Sequence, residues 1–70
     1  MDKNELKIET IKHNISSLSK LADYVGIPRK RFFSHLKTGN FTRDEIVSIS
    51  TYLSLSADRV IAIFFPEKVS

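Results

Sequence analysis

The chain has no cysteine and no tryptophan, only two glycines and two prolines, and no acidic residue between Asp23 and Asp44. Without cysteine, disulfides and thiolate metal sites are excluded. The longest apolar run, Val60 to Phe65, falls far short of the roughly 18 residues of a membrane span. The opening Met1-Asp2-Lys3-Asn4-Glu5 has no signal-peptide-like apolar stretch, so the expected location is the cytoplasm and no membrane partner is expected. Seventy residues make one small domain, 1–70. A chain of this length buries only about 60% of its unfolded surface and has little core to enclose a deep catalytic pocket. Well-packed helices and self-association are the expected sources of its stability.

What the chain does have is positive charge in one place. Its net charge is +3, yet residues 1–14 balance three lysines against Asp2, Glu5 and Glu9. Residues 15–40 carry Lys20, Arg29, Lys30, Arg31 and Lys37 against Asp23 alone, and residues 41–70 are slightly acidic. A basic patch on a near-neutral body is the footprint of a phosphate-backbone binder, although a solvated face has the same composition.

Turn signals divide the chain into five helical segments. Lys3 to Lys12, with Leu6, Ile8 and Ile11 apolar, predicts a short amphipathic helix ended at His13-Asn14. Ser16 or Ser17 caps the next, where Leu18, Leu21, Ala22 and Val25 form one stripe and Gly26 supplies the positive φ of a tight exit. Pro28 suits the first turn of a third helix, about Pro28 to Lys37, ended by Thr38-Gly39-Asn40. Thr42 and Glu45 form a capping box for a fourth, with Ile46, Ile49 and Leu53 inward and Phe41 positioned to staple onto Ile46. A fifth starts at Ser56 and is stopped by Pro66. The fold class is all-α, a compact bundle of five short helices.

Two helices around a glycine-containing turn, the second of them basic, is a helix-turn-helix pattern, here about residues 16–37. At 100° per residue, with Arg29 at 0°, Phe32 and Leu36 fall at about 300° and 340° and define the core side. Phe33, Lys37, Lys30 and Ser34 fall at about 40°, 80°, 100° and 140°, a continuous outward face with Arg29. Arg31 and His35 lie on the other flank. Cations on such a face can bond guanine O6 and N7 in a major groove, and an apolar group can meet a thymine methyl.

From Ile15-Ser16-Ser17-Leu18 through Leu21-Ala22, Gly26-Ile27-Pro28, Phe32 and Leu36, the residues resemble the Cro and repressor type of helix-turn-helix regulators of phages and mobile elements. Phe41-Thr42-Arg43-Asp44-Glu45-Ile46 and Leu53-Ser54-Leu55-Ser56 resemble that family's fourth helix and the start of its fifth, so the likeness spans about residues 5–65. It implies a lambda-repressor-like DNA-binding domain in which Arg29, Lys30, Phe33 and Ser34 meet base edges. It further implies phosphate contacts from Ser17, Lys20, Lys37 and Asn40. Three positions depart from the family. Ser17-Leu18 stands where many members have a glutamine, Pro28 replaces a small polar cap, and Phe33 occupies a place often held by a smaller residue. Phe33 is open to two readings, a methyl reader or a protein contact.

The implied function is a sequence-specific repressor that occupies a palindromic operator in double-stranded DNA. The alternative is an antirepressor or adaptor that uses the same fold to bind another regulator protein. Ile61, Phe64 and Phe65 place apolar surface on more than one side of the last helix, which makes residues 56–65 a candidate homodimer or partner surface. Enzymatic chemistry is not expected: no nucleophile elbow, Ser-His-acid set or phosphate loop is present. Asp44-Glu45 reads as first-turn dipole chemistry and His35 as a partly buried packing residue. No catalytic residue, metal ligand or cofactor is assigned.

Overall fold

Four helix exits give the chain its shape, and each uses the same backbone device. A computed structural model describes residues 1–68; Val69 and Ser70, within the single domain expected over 1–70, lie outside the described residues. Among the described residues the elements are α1 (Lys3–Lys12), α2 (Leu18–Val25), α3 (Arg29–Thr38), α4 (Arg43–Tyr52), α5 (Ala57–Phe64) and a closing 3-10 turn, Pro66–Lys68, with no strand. The first four helices end on a residue in the left-handed region: Asn14 (φ 60°), Gly26 (φ 76°), Gly39 (φ 74°) and Ser54 (φ 52°). The N–H of the following residue then reaches back five positions, from Ile15 to the Thr10 carbonyl, Ile27 to Ala22, Asn40 to His35 and Leu55 to Ser50. These bonds satisfy carbonyls that a helix end would orphan, and they reverse the chain at once. Ile15 and Ile27, which carry two of these bonds, drop directly into the core.

The helix starts are capped by side chains. Asp2, Ser17, Thr42 and Ser56 each accept an N–H from three residues on, and Glu45 returns a bond from the Thr42 N–H at 2.9 Å to complete the capping box. Pro28 is the exception. It stands at the cap of α3 rather than within its first turn, with extended ψ of 134° and no side-chain bond, and its carbonyl accepts the Phe32 N–H at 2.9 Å.

One core unites the five helices. Leu6 comes from α1, Leu21 and Ala22 from α2, Phe32 and Leu36 from α3, Ile49 from α4, and Ile63 and Phe64 from α5. Phe41, between α3 and α4, lies 5.2 Å from Phe32 and 6.0 Å from Phe64, tilted to one ring and edge-on to the other. Ile46 is half-buried against the same cluster, as the staple reading requires. The result is a compact all-α bundle of 33 × 24 × 19 Å.

Helix α1 departs from its expected stripe. Ile8 and Ile11 are exposed, and the inward face is Leu6, Glu9 and Thr10, the residues three and four positions from Leu6. The two polar members are satisfied: Thr10 Oγ1 donates to the Leu6 carbonyl at 2.8 Å, and Glu9 accepts from Arg59 Nε at 2.9 Å. Arg59 Nη2 also donates to Glu5 at 2.6 Å, so one guanidinium of α5 clasps two carboxylates of α1. The Asp2 N–H to Ile63 carbonyl bond, 2.7 Å, closes the same seam.

Candidate nucleic-acid interface

Helix α3 is held by one face. Phe32 is fully buried and Leu36 nearly so, while Arg29, Lys30, Phe33, Ser34 and Lys37 are all exposed, as the 3.6-residue period dictates. The turn Gly26-Ile27-Pro28 holds the start of α3 against the end of α2, with Ile27 buried beneath it. Gly26 is required here by its backbone alone: a Cβ would meet nothing within 4 Å, but φ of 76° is strained for any side chain.

The exposed groups are not electrostatically alike. Arg29 is paired with Asp23 of α2, Nε to Oδ1 at 3.1 Å and Nη2 to Oδ2 at 2.6 Å. The hydrogen bond from Arg29 holds the Asp23 carboxyl below the usual carboxylate range, and the same bond pushes the Arg29 guanidinium up. Arg31 lies 3.3 Å from Glu45 Oε2 without hydrogen-bond alignment. Lys20, Lys30 and Lys37 have no carboxylate within 4.0 Å among the described residues and carry the uncompensated charge of the surface. A fourth cation joins them from outside the central segment. Lys3 of α1 donates through Nζ to the Lys37 carbonyl at 3.4 Å, at the C-terminal end of α3. Counting charge by segment hid Lys3, because the first 14 residues are neutral and only the packing of α1 sets it beside Lys37.

Glu45 fastens the inner flank of α3. Its carboxylate, 8% exposed, accepts from the Thr42 N–H at 2.9 Å and sits 2.7 Å from His35 Nδ1. Burial alone would push this carboxyl up; the Thr42 backbone N–H, with the hydrogen bond and charge of His35, outweighs it and holds the group low. Glu45 is therefore more than a first-turn dipole residue. It joins the capping box of α4 to two side chains of α3, a link that reading one helix at a time misses. His35 is half-buried as expected, and its ring also meets Phe41 edge-on at 6.1 Å.

The remaining residues singled out from sequence fall into two groups. Ser17 and Lys20 are exposed at the start of α2, where Ser17 Oγ already accepts the Lys20 N–H at 3.2 Å. Asn40 is exposed but stands beyond the far end of α3, about 15 Å of helix from Arg29. It helps line a cleft of about 290 Å³ with Met1, Phe41 and Phe65. In α5, the expected trio divides. Ile61 and Phe65 are 38% and 39% exposed, whereas Phe64, expected on the partner surface, is 5% exposed and belongs to the core. Phe64 follows Ile63 by about 100° on the helix and faces Phe41; Ile61 is exposed on α5, and Phe65, just past its end, is exposed beside the cleft.

Sequence reading also missed a stacked pair across α2 and α4. The rings of Tyr24 and Tyr52 lie 5.8 Å apart and 11° from parallel, both largely exposed.

No family model matches the chain, and it has no match among the curated proteins or the solved structures.

Proposed function

We propose that the chain is a sequence-specific DNA-binding regulator in which α2 and α3 form a helix-turn-helix and α3 enters the major groove. One observation carries the reading: α3 turns only Phe32 and Leu36 into the core and exposes Arg29, Lys30, Phe33, Ser34 and Lys37 on one continuous face, with no unpaired carboxylate on α2 or α3. A helix presented in this way offers donors to base edges, while Lys20 at the start of α2 and Lys37 at the end of α3 are suited to phosphates. The exposed Ile61 and Phe65 support a two-fold dimer through α5, which would set two recognition helices about 34 Å apart on a palindromic site. Acting as a repressor of the Cro type, it would work by occupying an operator and excluding polymerase, in the compartment that holds the DNA.

A second reading is supported by the exposure of three large apolar side chains, Phe33 at 39%, Ile61 at 38% and Phe65 at 39%. An antirepressor or adaptor would dock aromatic anchors of this kind on another regulator protein.

Selection of bound sequences from a random duplex library at about 150 mM salt separates the two, because purely electrostatic binding is weakened there. Recovery of a palindrome is expected. Absence of any enriched sequence would overturn the DNA-binding reading in favour of the protein-partner one.

A further inference from the structure

The pair formed by Asp23 and Arg29 has a direction that the rest of the basic surface lacks. Asp23 lies in the last turn of α2 and Arg29 is the first residue of α3, so the pair spans the Gly26-Ile27-Pro28 turn. Both side chains stand well into solvent, Asp23 49% and Arg29 60% exposed, where an ion pair contributes little to folding. What the pair does is orient. A guanidinium carries five N–H donors arranged in two bidentate edges, one through Nε and Nη2 and the other through Nη1 and Nη2. The Asp23 carboxylate takes the first edge with two near-parallel bonds of 3.1 and 2.6 Å. The second edge points away from Asp23, and no acceptor bonds Nη1 among the described residues.

That second edge is two parallel donors with no acceptor beside them. In the major groove guanine presents two neighbouring acceptors, O6 and N7. Adenine presents an acceptor next to a donor, thymine one acceptor beside a methyl, and cytosine a donor. Only guanine accepts both bonds. The carboxylate also cancels the charge of Arg29, so the side chain adds little to attraction for phosphates in general and more to discrimination between bases. Because the rotamer is already held, less side-chain freedom is lost on binding.

We propose that Asp23 is a positioning residue that holds Arg29 to read a guanine at one fixed position of the bound duplex. The inference rests on the DNA-binding reading of α3 and names the base that reading leaves open. Lys30, one residue on, has no such brace among the described residues and acts as a mobile point charge.

The test is random-duplex selection at about 150 mM salt with the full chain and with Arg29→Ala, Arg29→Lys and Asp23→Ala, each first checked for unchanged thermal unfolding. The wild-type site is expected to contain a guanine whose replacement by adenine weakens binding roughly 5- to 150-fold. Arg29→Ala should erase the preference at that position and leave the others intact. Arg29→Lys, which keeps the charge without the second edge, should reduce it. Asp23→Ala should bind unrelated duplexes as tightly as wild type or tighter, because a negative charge is gone, while losing most of the guanine preference. Recovery of a defined site whose base preferences survive Arg29→Ala, or whose guanine survives Asp23→Ala undiminished, would overturn this proposal and leave the DNA-binding reading standing. A wild-type chain that enriches no sequence would overturn both.

Discussion

His35 Nδ1 of α3 and Glu45 Oε1 of α4 are 2.7 Å apart, and the same carboxylate oxygen caps α4 through the Thr42 N–H at 2.9 Å. One oxygen thus ties the start of α4 to the inner flank of the helix that presents the basic face. Arg31, 3.3 Å from the other oxygen, approaches the carboxylate from the same helix.

Glu45→Gln is expected to cost about 1–3 kcal/mol, because the amide retains an acceptor for Thr42 but leaves His35 and Arg31 without the charge. The carboxyl is held below its unfolded value, so its contribution is present above the ordinary glutamate titration near pH 4.3, about that of model peptides, and is lost as pH falls through the depressed value. Urea unfolding of wild type and Glu45→Gln should show a gap at pH 7 that closes on acidification. A gap independent of pH would show that the charge of Glu45 contributes nothing.

The helix exits offer a paired test of backbone strain. Ser54, at φ 52°, occupies a conformation that costs an L side chain on the order of 1 kcal/mol, and Gly26 occupies it freely. Ser54→Gly should raise stability by up to about 1 kcal/mol, the strain relieved less the added freedom of the unfolded chain, and Gly26→Ala should lower it by about the same amount. Thermal midpoints are the readout, at about 4–8 °C per kcal/mol for a domain of this size. Opposite signs are expected.

Ser50 Oγ is buried with no hydrogen-bond partner among the described residues. Ser50→Ala removes an unsatisfied polar group from α4 and should be neutral or stabilising by up to about 1 kcal/mol. A clear loss of stability in denaturant titration would mean that the hydroxyl is satisfied in solution.

Phe64 and Phe65 are neighbours in sequence with opposite expected behaviour. Phe64→Ala, which empties a site between Phe41 and the core, should cost about 3–5 kcal/mol, a large fraction of the stability of so small a domain. Phe65→Ser and Ile61→Ser should leave the fold intact and, on the dimer reading, shift sedimentation toward the monomer. Unchanged sedimentation with a dimeric wild type would place the interface elsewhere.

On the DNA-binding reading, Lys37→Ala is expected to weaken binding to all duplexes similarly and to flatten the dependence of log K on log salt by about 0.9, the value of one phosphate contact. Lys3→Ala, beside it at the end of α3, should act in the same direction. Titrations across salt concentrations measure both, and a change confined to one base preference would contradict the phosphate role.

Helix boundaries, caps and exits were legible because they depend on neighbours three to five residues away. Ser17, Thr42 with Glu45, Gly26 and Asn14 each act within a single turn of chain. The outward face of α3 was legible for the same reason, since Phe32 and Leu36 fix one side and the helical period fixes the other. The α1 stripe was not, because Glu9 and Thr10 are polar and their burial requires Arg59, fifty residues from Glu9, and a carbonyl of their own helix. The exposed apolar residues at the end of the chain were half legible: their apolar excess was evident, but the choice between Phe64 and Phe65 waited on the position of Phe41.

By itself, then, the sequence determined five short helices, an all-α core and a basic third helix with a readable outer face, all consequences of local bonds and a 3.6-residue period. Tertiary structure alone decided which charged groups around α3 have partners. Asp23 reaches Arg29 across a turn, Glu45 reaches Arg31 and His35 from the next helix, and Lys3 arrives beside Lys37 from the start of the chain. Charge acts through distance in space, and only the folded chain sets those distances.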